Sequence, residues 1–245
     1  MNIGLQNELN IIESLNGKKY CELNKNLKNF ISFIFEDFDL NSYIYAEKID
    51  NLQKADIFIK VNNNEKYISI KTGSENSVHT EKLSNFISFL ENKFVNINII
   101  NYLRLYHYGD GTINGSGEKR YSADESKIRL INEISRFNNY INHDNLLLDI
   151  INRFLFIGVK ETNMIVDYIY YGNEYYGIWA SREEIINFLL KNKCYYMKTI
   201  HFSSLTYQNW CRNINKKATS EKRRNYIQIK WFSIVSDLQK IRNHK

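Results

Sequence analysis

Three charged side chains, close together in the first third of the chain, have the chemistry needed to hydrolyse a phosphodiester bond. Asp56 and Glu81 supply carboxylates, and Lys71 supplies an ammonium group. Carboxylate oxygens are hard ligands that hold Mg²⁺, and a bound Mg²⁺ activates water and neutralises charge developing on a phosphate. A lysine beside such a metal steadies the attacking water or the pentavalent phosphorus. The first expectation is therefore that these three side chains converge on one metal.

Two short apolar strands are predicted to position the first two of these residues. They cover residues 54–60 and 67–73, and the polar turn at 62–66 joins them. Because strand side chains alternate between two faces, Ser69 and Lys71 are expected on one polar face beside the aspartate, while the isoleucines between them enter a core.

A helix from about Ser77 is predicted to carry Glu81 in its first turn. Its apolar stripe has the i, i+3, i+4, i+7 spacing of an amphipathic helix and comprises Leu83, Phe86, Ile87 and Leu90. His79, two residues before Glu81, is a candidate contact to the site or to nucleic acid, although a hydrogen-bonded histidine at a helix start is the better explanation. The hairpin and the helix together place the three charged groups at one end of a sheet.

This stretch resembles the active-site signature of the PD-(D/E)XK nuclease superfamily, an Asp on one strand followed by (D/E)-X-K on the next. The resemblance covers residues 43–93. Two positions depart from the signature, because Ala55 replaces the proline and Ser69 replaces the first carboxylate of the triplet. Some restriction endonucleases have a similar Ser-X-Lys and supply the missing carboxylate from the following helix, a role that the resemblance gives to Glu81.

The resemblance implies a type II-like restriction endonuclease that cleaves double-stranded DNA with Mg²⁺. In it, Asp56 and Glu81 would ligate the metal, Lys71 would activate the water, and Ser69 would occupy the vacated carboxylate position. Restriction enzymes of this superfamily commonly act as homodimers, so a homodimer is expected by analogy.

Three other glutamates are candidates for an accessory carboxylate near the metal. Glu75 lies in the loop before the predicted helix, and Glu47 follows the first predicted strand. Glu8 lies in an N-terminal helix that, by resemblance, often brings a further glutamate to the site; an exposed helical glutamate is the other interpretation.

Other functions fit the same residues. Asp56 and Lys71 alone would be a surface ion pair of little energetic value. The departure at Ser69 favours a non-catalytic DNA-binding protein with a decayed site, and the same triad also suits a repair nuclease or an RNA-directed nuclease.

Composition narrows the class of protein. The 245 residues carry a net charge of +6, which suits a polyanionic partner. The sequence has no apolar run of about 18 residues, so no membrane span is expected, and its N-terminus does not read as a secretory signal. Three scattered cysteines indicate reduced thiols and a cytoplasmic protein.

The fold class predicted for the whole chain is α/β, a mixed central β-sheet flanked by helices. The nuclease core is expected in residues 1–142, with helices through 5–36, a strand at 43–46 and strands between 95 and 108. Residues 109–117, rich in glycine, are predicted to be the most flexible stretch.

Residues 143–245 are predicted to form a β-rich elaboration that packs on the core and contacts DNA. Its strands are expected near 154–158, 166–172, 176–179, 198–210 and 226–231, with a helix over 181–190. Residues 212–224, called the basic segment below, hold the densest positive charge, from Lys216, Lys217, Lys222, Arg223 and Arg224. The segment is either a solvated turn or an arm that grips the phosphate backbone.

Overall fold

A computed structural model gives the fold and describes residues 3–49, 53–73, 76–117, 120–160, 163–193, 195, 197–209 and 223–243. The helices are α1 (Ile3–Leu15), α2 (Lys25–Ile34), α3 (Leu83–Asn92), α4 (Ile97–Tyr108), α5 (Ala123–Arg129), α6 (Ile131–Ile141), α7 (Asp144–Ile151), α8 (Arg182–Lys191) and α9 (Ile234–Asn243). The strands are β1 (Lys18–Lys19), β2 (Tyr43–Lys48), β3 (Ile57–Val61), β4 (Asn64–Lys71), β5 (Ser77–Lys82), β6 (Tyr168–Gly172), β7 (Gly177–Ser181), β8 (His201–Phe202), β9 (Leu205–Asn209) and β10 (Tyr226–Lys230).

The chain forms two compact units, each assembled from separate segments. The first unit comprises Met1–Asn76, Leu155–Phe188 and Ser233–Lys245, and the second comprises Ser77–Phe154 and Leu189–Phe232. Each unit therefore draws residues from both sides of the boundary expected at 142.

The first unit contains a six-stranded mixed sheet in the order β1-β2-β3-β4-β6-β7. β4 and β6 are parallel, and the other neighbours are antiparallel. Helices α1 and α2 bury their apolar stripes in one core with the inward residues of β2, β3 and β4. Asn24 begins α2 by accepting a hydrogen bond from the Leu27 amide, which satisfies one otherwise unpaired N–H. The predicted fold class, a mixed sheet flanked by helices, is confirmed.

The second unit contains a four-stranded antiparallel sheet in the order β5-β10-β9-β8, accompanied by α3 to α7. Its core includes the rings of Phe86, Phe154 and Phe202, whose centroids lie 5.2–5.8 Å apart. No helix in the described part of the chain is both long and apolar enough to cross a membrane. Cys21 is a free, exposed thiol, and Cys194 and Cys211 lie outside the described residues.

Three local predictions are wrong. The strand expected near 154–158 is instead a π-helical turn, Asn152–Ile157, that continues directly from α7. The strands expected between 95 and 108 are the single helix α4, which Asn96 caps by accepting from the Asn98 amide and which Gly109, at φ 58°, ends in the left-handed region. The helix expected from Ser77 begins only at Leu83, so Glu81 lies in β5. The alternating burial of Thr80, Glu81 and Lys82, exposed, buried and exposed, is that of a strand.

Candidate active site

Asp56, Ser69 and Lys71 lie together in the first unit and share a single carboxylate oxygen. Oδ2 of Asp56 accepts hydrogen bonds from the Ser69 hydroxyl at 3.0 Å, the Ile70 amide at 2.6 Å and the Lys71 ammonium at 2.9 Å. The structure thus brings together three of the four residues that the signature assigned to catalysis.

Strand register produces this cluster. Ile57 of β3 is opposite Ile68 of β4, so Asp56, just before β3, lies level with Ser69. The Asp56 amide donates to the Ile68 carbonyl at 2.9 Å, which holds the aspartate beside β4 although it precedes the strand. On β4, Ile68 and Ile70 enter the core as predicted, and Ser69 and Lys71 take the other face.

The cluster is half-enclosed. Ser69 is 1% exposed, whereas the side chains of Lys71 and Asp56 are 18% and 24% exposed. The Lys71 ammonium also donates to the Ile70 carbonyl at 2.9 Å, so two acceptors fix its position. These two contacts use two of the three N–H donors of the ammonium group.

A tyrosine on the neighbouring parallel strand supports the turn that follows Lys71. Tyr171 of β6 is in register with Lys71, and its hydroxyl donates to the Gly73 carbonyl at 2.7 Å. Gly73 has a φ of 75°, a left-handed conformation that favours glycine. The chain therefore turns away directly after the lysine, which leaves the ammonium at the end of the strand.

Glu81 belongs to the second unit, and its carboxylate is fully engaged there. Arg153 donates from Nε to Oε1 at 2.9 Å and from Nη2 to Oε2 at 2.6 Å, and His79 Nε2 lies 3.0 Å from Oε1. The Glu81 side chain is 1% exposed. Burial raises the pKa of Glu81, but hydrogen bonds from His79 and Arg153 outweigh it, so the pKa lies below its usual value.

His79 is as buried as its partner. Its side chain is 5% exposed, and its ring packs on Phe154 with the centroids 5.0 Å apart. Both β5 residues therefore have structural contacts inside the second unit. The role of His79 at a metal or on nucleic acid remains a prediction, as does metal binding by Glu81.

Asp56 is the residue of the cluster whose carboxylate could bind Mg²⁺. Among the described residues, no group of three or more His, Cys, Asp or Glu side chains is arranged to hold a metal ion. All three hydrogen bonds that the described residues donate to the Asp56 carboxylate end on Oδ2 and none ends on Oδ1. One hard anionic oxygen is therefore available, which fits a magnesium ion that keeps most of its waters.

The accessory glutamates differ in their surroundings. Glu8 of α1 forms an ion pair with Lys48 of β2 at 3.0 Å. Glu47, also on β2, is exposed, and its strand partner is Phe58. Glu75 lies outside the described residues. The structure therefore leaves their roles as predictions.

Of the basic segment, residues 212–222 lie outside the described residues, so the predicted contacts of Lys216, Lys217 and Lys222 are untested. Arg223 is exposed. Arg224 is committed internally, since Nη2 donates to Asp110 Oδ2 at 3.2 Å and to the Gly115 carbonyl.

Arg153 and Asp110 are the charged residues that sequence reasoning missed. Arg153 is 72 residues from Glu81 and has no motif around it. Asp110 orders the loop that was predicted to be flexible, because it accepts from Thr112 and from the Gly117 amide as well as from Arg224. An Asp before Gly-Thr favours a turn stabilised by its own side chain, and this is the sequence signal that could have identified Asp110.

No family model and no curated protein sequence matches this chain. Among solved structures, the fold is similar to that of a restriction endonuclease. That protein is the restriction endonuclease MspI, in a crystal structure with its cognate DNA. The TM-score is 0.61 over 93% of this chain and 88% of that one, with 11% of residues identical. At this identity the likeness is one of fold.

Proposed function

We propose that this protein is a divalent-metal-dependent DNA endonuclease of the type II restriction kind. The observation that carries the proposal is the convergence of Ser69, Ile70 and Lys71 on one oxygen of Asp56. The similarity of the fold to a restriction endonuclease solved with its cognate DNA supports the choice of substrate. The net charge of +6 is in keeping with a polyanionic partner.

Each residue of the cluster has a distinct task. The Ser69 hydroxyl and the Ile70 amide hold Oδ2 of Asp56, and Oδ1 is the oxygen that would bind the metal. A Mg²⁺ bound there would lower the pKa of a coordinated water and neutralise charge on the phosphate. Lys71, held by Asp56 and the Ile70 carbonyl, presents its ammonium to the attacking water and to a phosphate oxygen.

The assignment of Glu81 as a second metal ligand stays a prediction. Its two oxygens already accept from Arg153, and His79 occupies one of them as well. Binding a metal would require the carboxylate to exchange these partners, which are strong charge-assisted hydrogen bonds.

Cleavage of supercoiled plasmid with Mg²⁺ tests the proposal, with Lys71→Met as the decisive variant. Loss of a positioned catalytic group is expected to lower the rate by about 10² to 10⁴-fold. Lys60→Met is the matched control, because Lys60 is an exposed lysine on the adjacent strand β3. A wild-type rate for Lys71→Met would refute the assignment of the active site.

DNA binding without cleavage is the second candidate function. It is favoured by the state of Glu81, whose carboxylate is already paired with Arg153. Of the two signature carboxylates, only Asp56 has no described cation beside it except Lys71. Specific DNA binding by a protein that cleaves with neither Mg²⁺ nor Mn²⁺ would establish this function.

The homodimer implied by the resemblance is tested separately, by light scattering of the protein with and without DNA.

A further inference from the structure

We propose that a cleft in the second unit binds an unstacked nucleotide of a nucleic-acid strand. The cleft has a volume of about 850 Å³ and lies among α3, α4, the loop 109–117 and the start of β10. That volume is within the range of small-molecule sites in proteins. The inference rests on the proposed function for the identity of the polymer.

The lining provides a contact for each part of a nucleotide. Lys82 and Arg104 are cations for the phosphates, and Tyr108 and Tyr226 are rings on which a base can stack. Single-stranded nucleic acid is bound by this combination of positive charge and aromatic platforms, since every base has a π-face.

Two amide side chains complete the set. Asn114 and Asn225 also line the cleft, and both are exposed. Asparagine has a donor and an acceptor that match the edge of an unpaired base. These amides would orient a base that the tyrosine rings hold by its face.

The charge of the lining favours an anion. The one acidic residue among its described members is Glu91, which lies 4.0 Å from Arg104 across an ion pair that is partly exposed to solvent. An ion pair of this length and exposure is weak, so a phosphate can compete for the guanidinium. Lys82, the other cation of the lining, is exposed.

The loop that forms one wall is held in shape. Asp110 accepts from Thr112, from the Gly117 amide and from Arg224, and its side chain is 1% exposed. Burial raises the pKa of Asp110, but the hydrogen bonds from Thr112 and Gly117 outweigh it, so the pKa is lowered and Asp110 stays charged. Asn114 thus lies in a loop that internal hydrogen bonds hold without a ligand, and such preorganisation favours affinity.

The same loop fixes one of the rings. Gly115 has a φ of 77°, and a Cβ at this position would lie 2.6 Å from the Tyr108 ring. The glycine backbone therefore packs directly on Tyr108, which also contacts His107 edge-on with centroids 5.1 Å apart. A ring packed from one side is a preorganised stacking surface on its other side.

The test uses fluorescence anisotropy of labelled single-stranded oligonucleotides, in EDTA so that no cleavage occurs. One probe is an all-thymidine strand, and the other has the same length and charge with abasic sugars. The wild type is expected to prefer the thymidine strand by about 5- to 150-fold, the range for stacking one base on an aromatic side chain. Equal affinity for the two strands would overturn the inference.

Variants locate this preference in the cleft. Tyr108→Ala is expected to abolish it, whereas Tyr102→Ala, at a half-buried tyrosine of the same helix outside this cleft, is expected to keep it. Should Tyr108→Ala fail to fold, Asn114→Asp is the second variant. It places a negative charge in the cleft at an exposed position and is also expected to remove the thymidine preference. Its control is Asn132→Asp, at an exposed asparagine near the start of α6.

The outcomes separate this inference from the proposed function. If the protein cleaves plasmid but Tyr108→Ala and Asn114→Asp both retain the thymidine preference, the cleft is not the nucleotide site. If the wild type prefers the thymidine strand and the variants lose this preference, but the wild type does not cleave DNA, the nucleotide site is supported and the proposed nuclease function is refuted. Competition by an acidic peptide as effective as the thymidine strand would assign the cleft to a protein partner instead.

Discussion

Replacing Arg153 with methionine is expected to destabilise the protein through Glu81. The guanidinium donates to both oxygens of this carboxylate, at 2.9 and 2.6 Å, and the Glu81 side chain is 1% exposed. Methionine keeps an unbranched apolar side chain but removes the guanidinium, whose carbon lies over the Phe89 ring 4.8 Å from the centroid. The substitution therefore removes the cation and leaves a buried carboxylate behind.

The expected cost at pH 7 is about 3–5 kcal/mol, the range for breaking a buried ion pair by removing one partner. Coulomb attraction at a charge separation of about 4 Å and an effective dielectric constant of 20 gives about 4 kcal/mol, in agreement. Glu81→Gln combined with Arg153→Met is expected to recover most of this loss, because no unpaired charge then remains.

The cost depends on pH in a definite direction. In the wild type the pKa of Glu81 is lowered, so its contribution to stability is present above the unfolded pKa and is lost as pH falls through the folded pKa. In Arg153→Met, burial without the arginine favours the protonated acid. The difference in free energy of unfolding between the two proteins should therefore be largest at pH 7 and shrink toward pH 4.

Urea unfolding followed by tryptophan fluorescence measures this difference, since the chain has three tryptophans. A loss below about 1 kcal/mol at pH 7, or one that grows as pH falls, would refute the reasoning. Mg²⁺ titration of the same proteins addresses the other role of Glu81. If Mg²⁺ stabilises the wild type but not Glu81→Gln, the glutamate is a metal ligand despite its present partners.

Three further outcomes are expected. Ser69→Ala should lower the single-turnover cleavage rate by roughly tenfold while DNA affinity is retained, because Asp56 loses one of three donors, a hydrogen bond to a charged group worth about 1.5–3 kcal/mol. Burial lowers the pKa of His107 to about 4, so its NMR resonances should show the neutral ring at pH 5. Because the unfolded chain takes up a proton near pH 6.5 and the folded protein does not, the free energy of unfolding should fall as pH drops from about 6.5 toward 4. Neutralising Lys216, Lys217, Lys222 and Arg223 together should flatten the slope of log affinity against log salt by about 3–4 if these residues contact phosphates, and an unchanged slope would make the basic segment a solvated turn.

The predictable part of the site is the part set by local periodicity. Alternation along residues 67–71 places Ser69 and Lys71 on one face, and a short hairpin leaves few registers in which Asp56 can meet them. The contacts of Glu81 depend on Arg153, 72 residues later, and no pattern in the intervening sequence signals that pair. Tertiary burial of this kind overrides what a local reading of Glu81 suggests.

Two elements show why local reading also failed for secondary structure. In α4, the sequence Ile97-Asn98-Ile99-Ile100 has the β-branched residues of a strand, yet Asn96 caps it and buried positions recur at Ile100 and Leu103 with helical spacing. In β5, the apolar stripe that begins at Leu83 suggests a helix that starts earlier, at Ser77, but Thr80, Glu81 and Lys82 alternate in burial as a strand does. In α4 the capping asparagine and the helical spacing were better signals than the β-branched residues. In β5 the burial of His79 and Glu81 depends on Phe154 and Arg153, which are more than 70 residues away in the sequence.

The parallel pairing of β4 with β6 has a consequence for how the chain acquires its structure during synthesis. The contact between the Tyr67 amide and Asp167 that begins this pairing closes a loop of 100 residues, and Ser77–Phe154 of the second unit is contained in that loop. Until the ribosome has released β6, the strand that carries Ser69 and Lys71 has an open edge, and such edges pair with other chains. Contacts of this sequence separation form slowly. A fragment that stops at residue 142 would keep Asp56, Ser69, Lys71 and Glu81 and still expose that edge, so we expect it to aggregate.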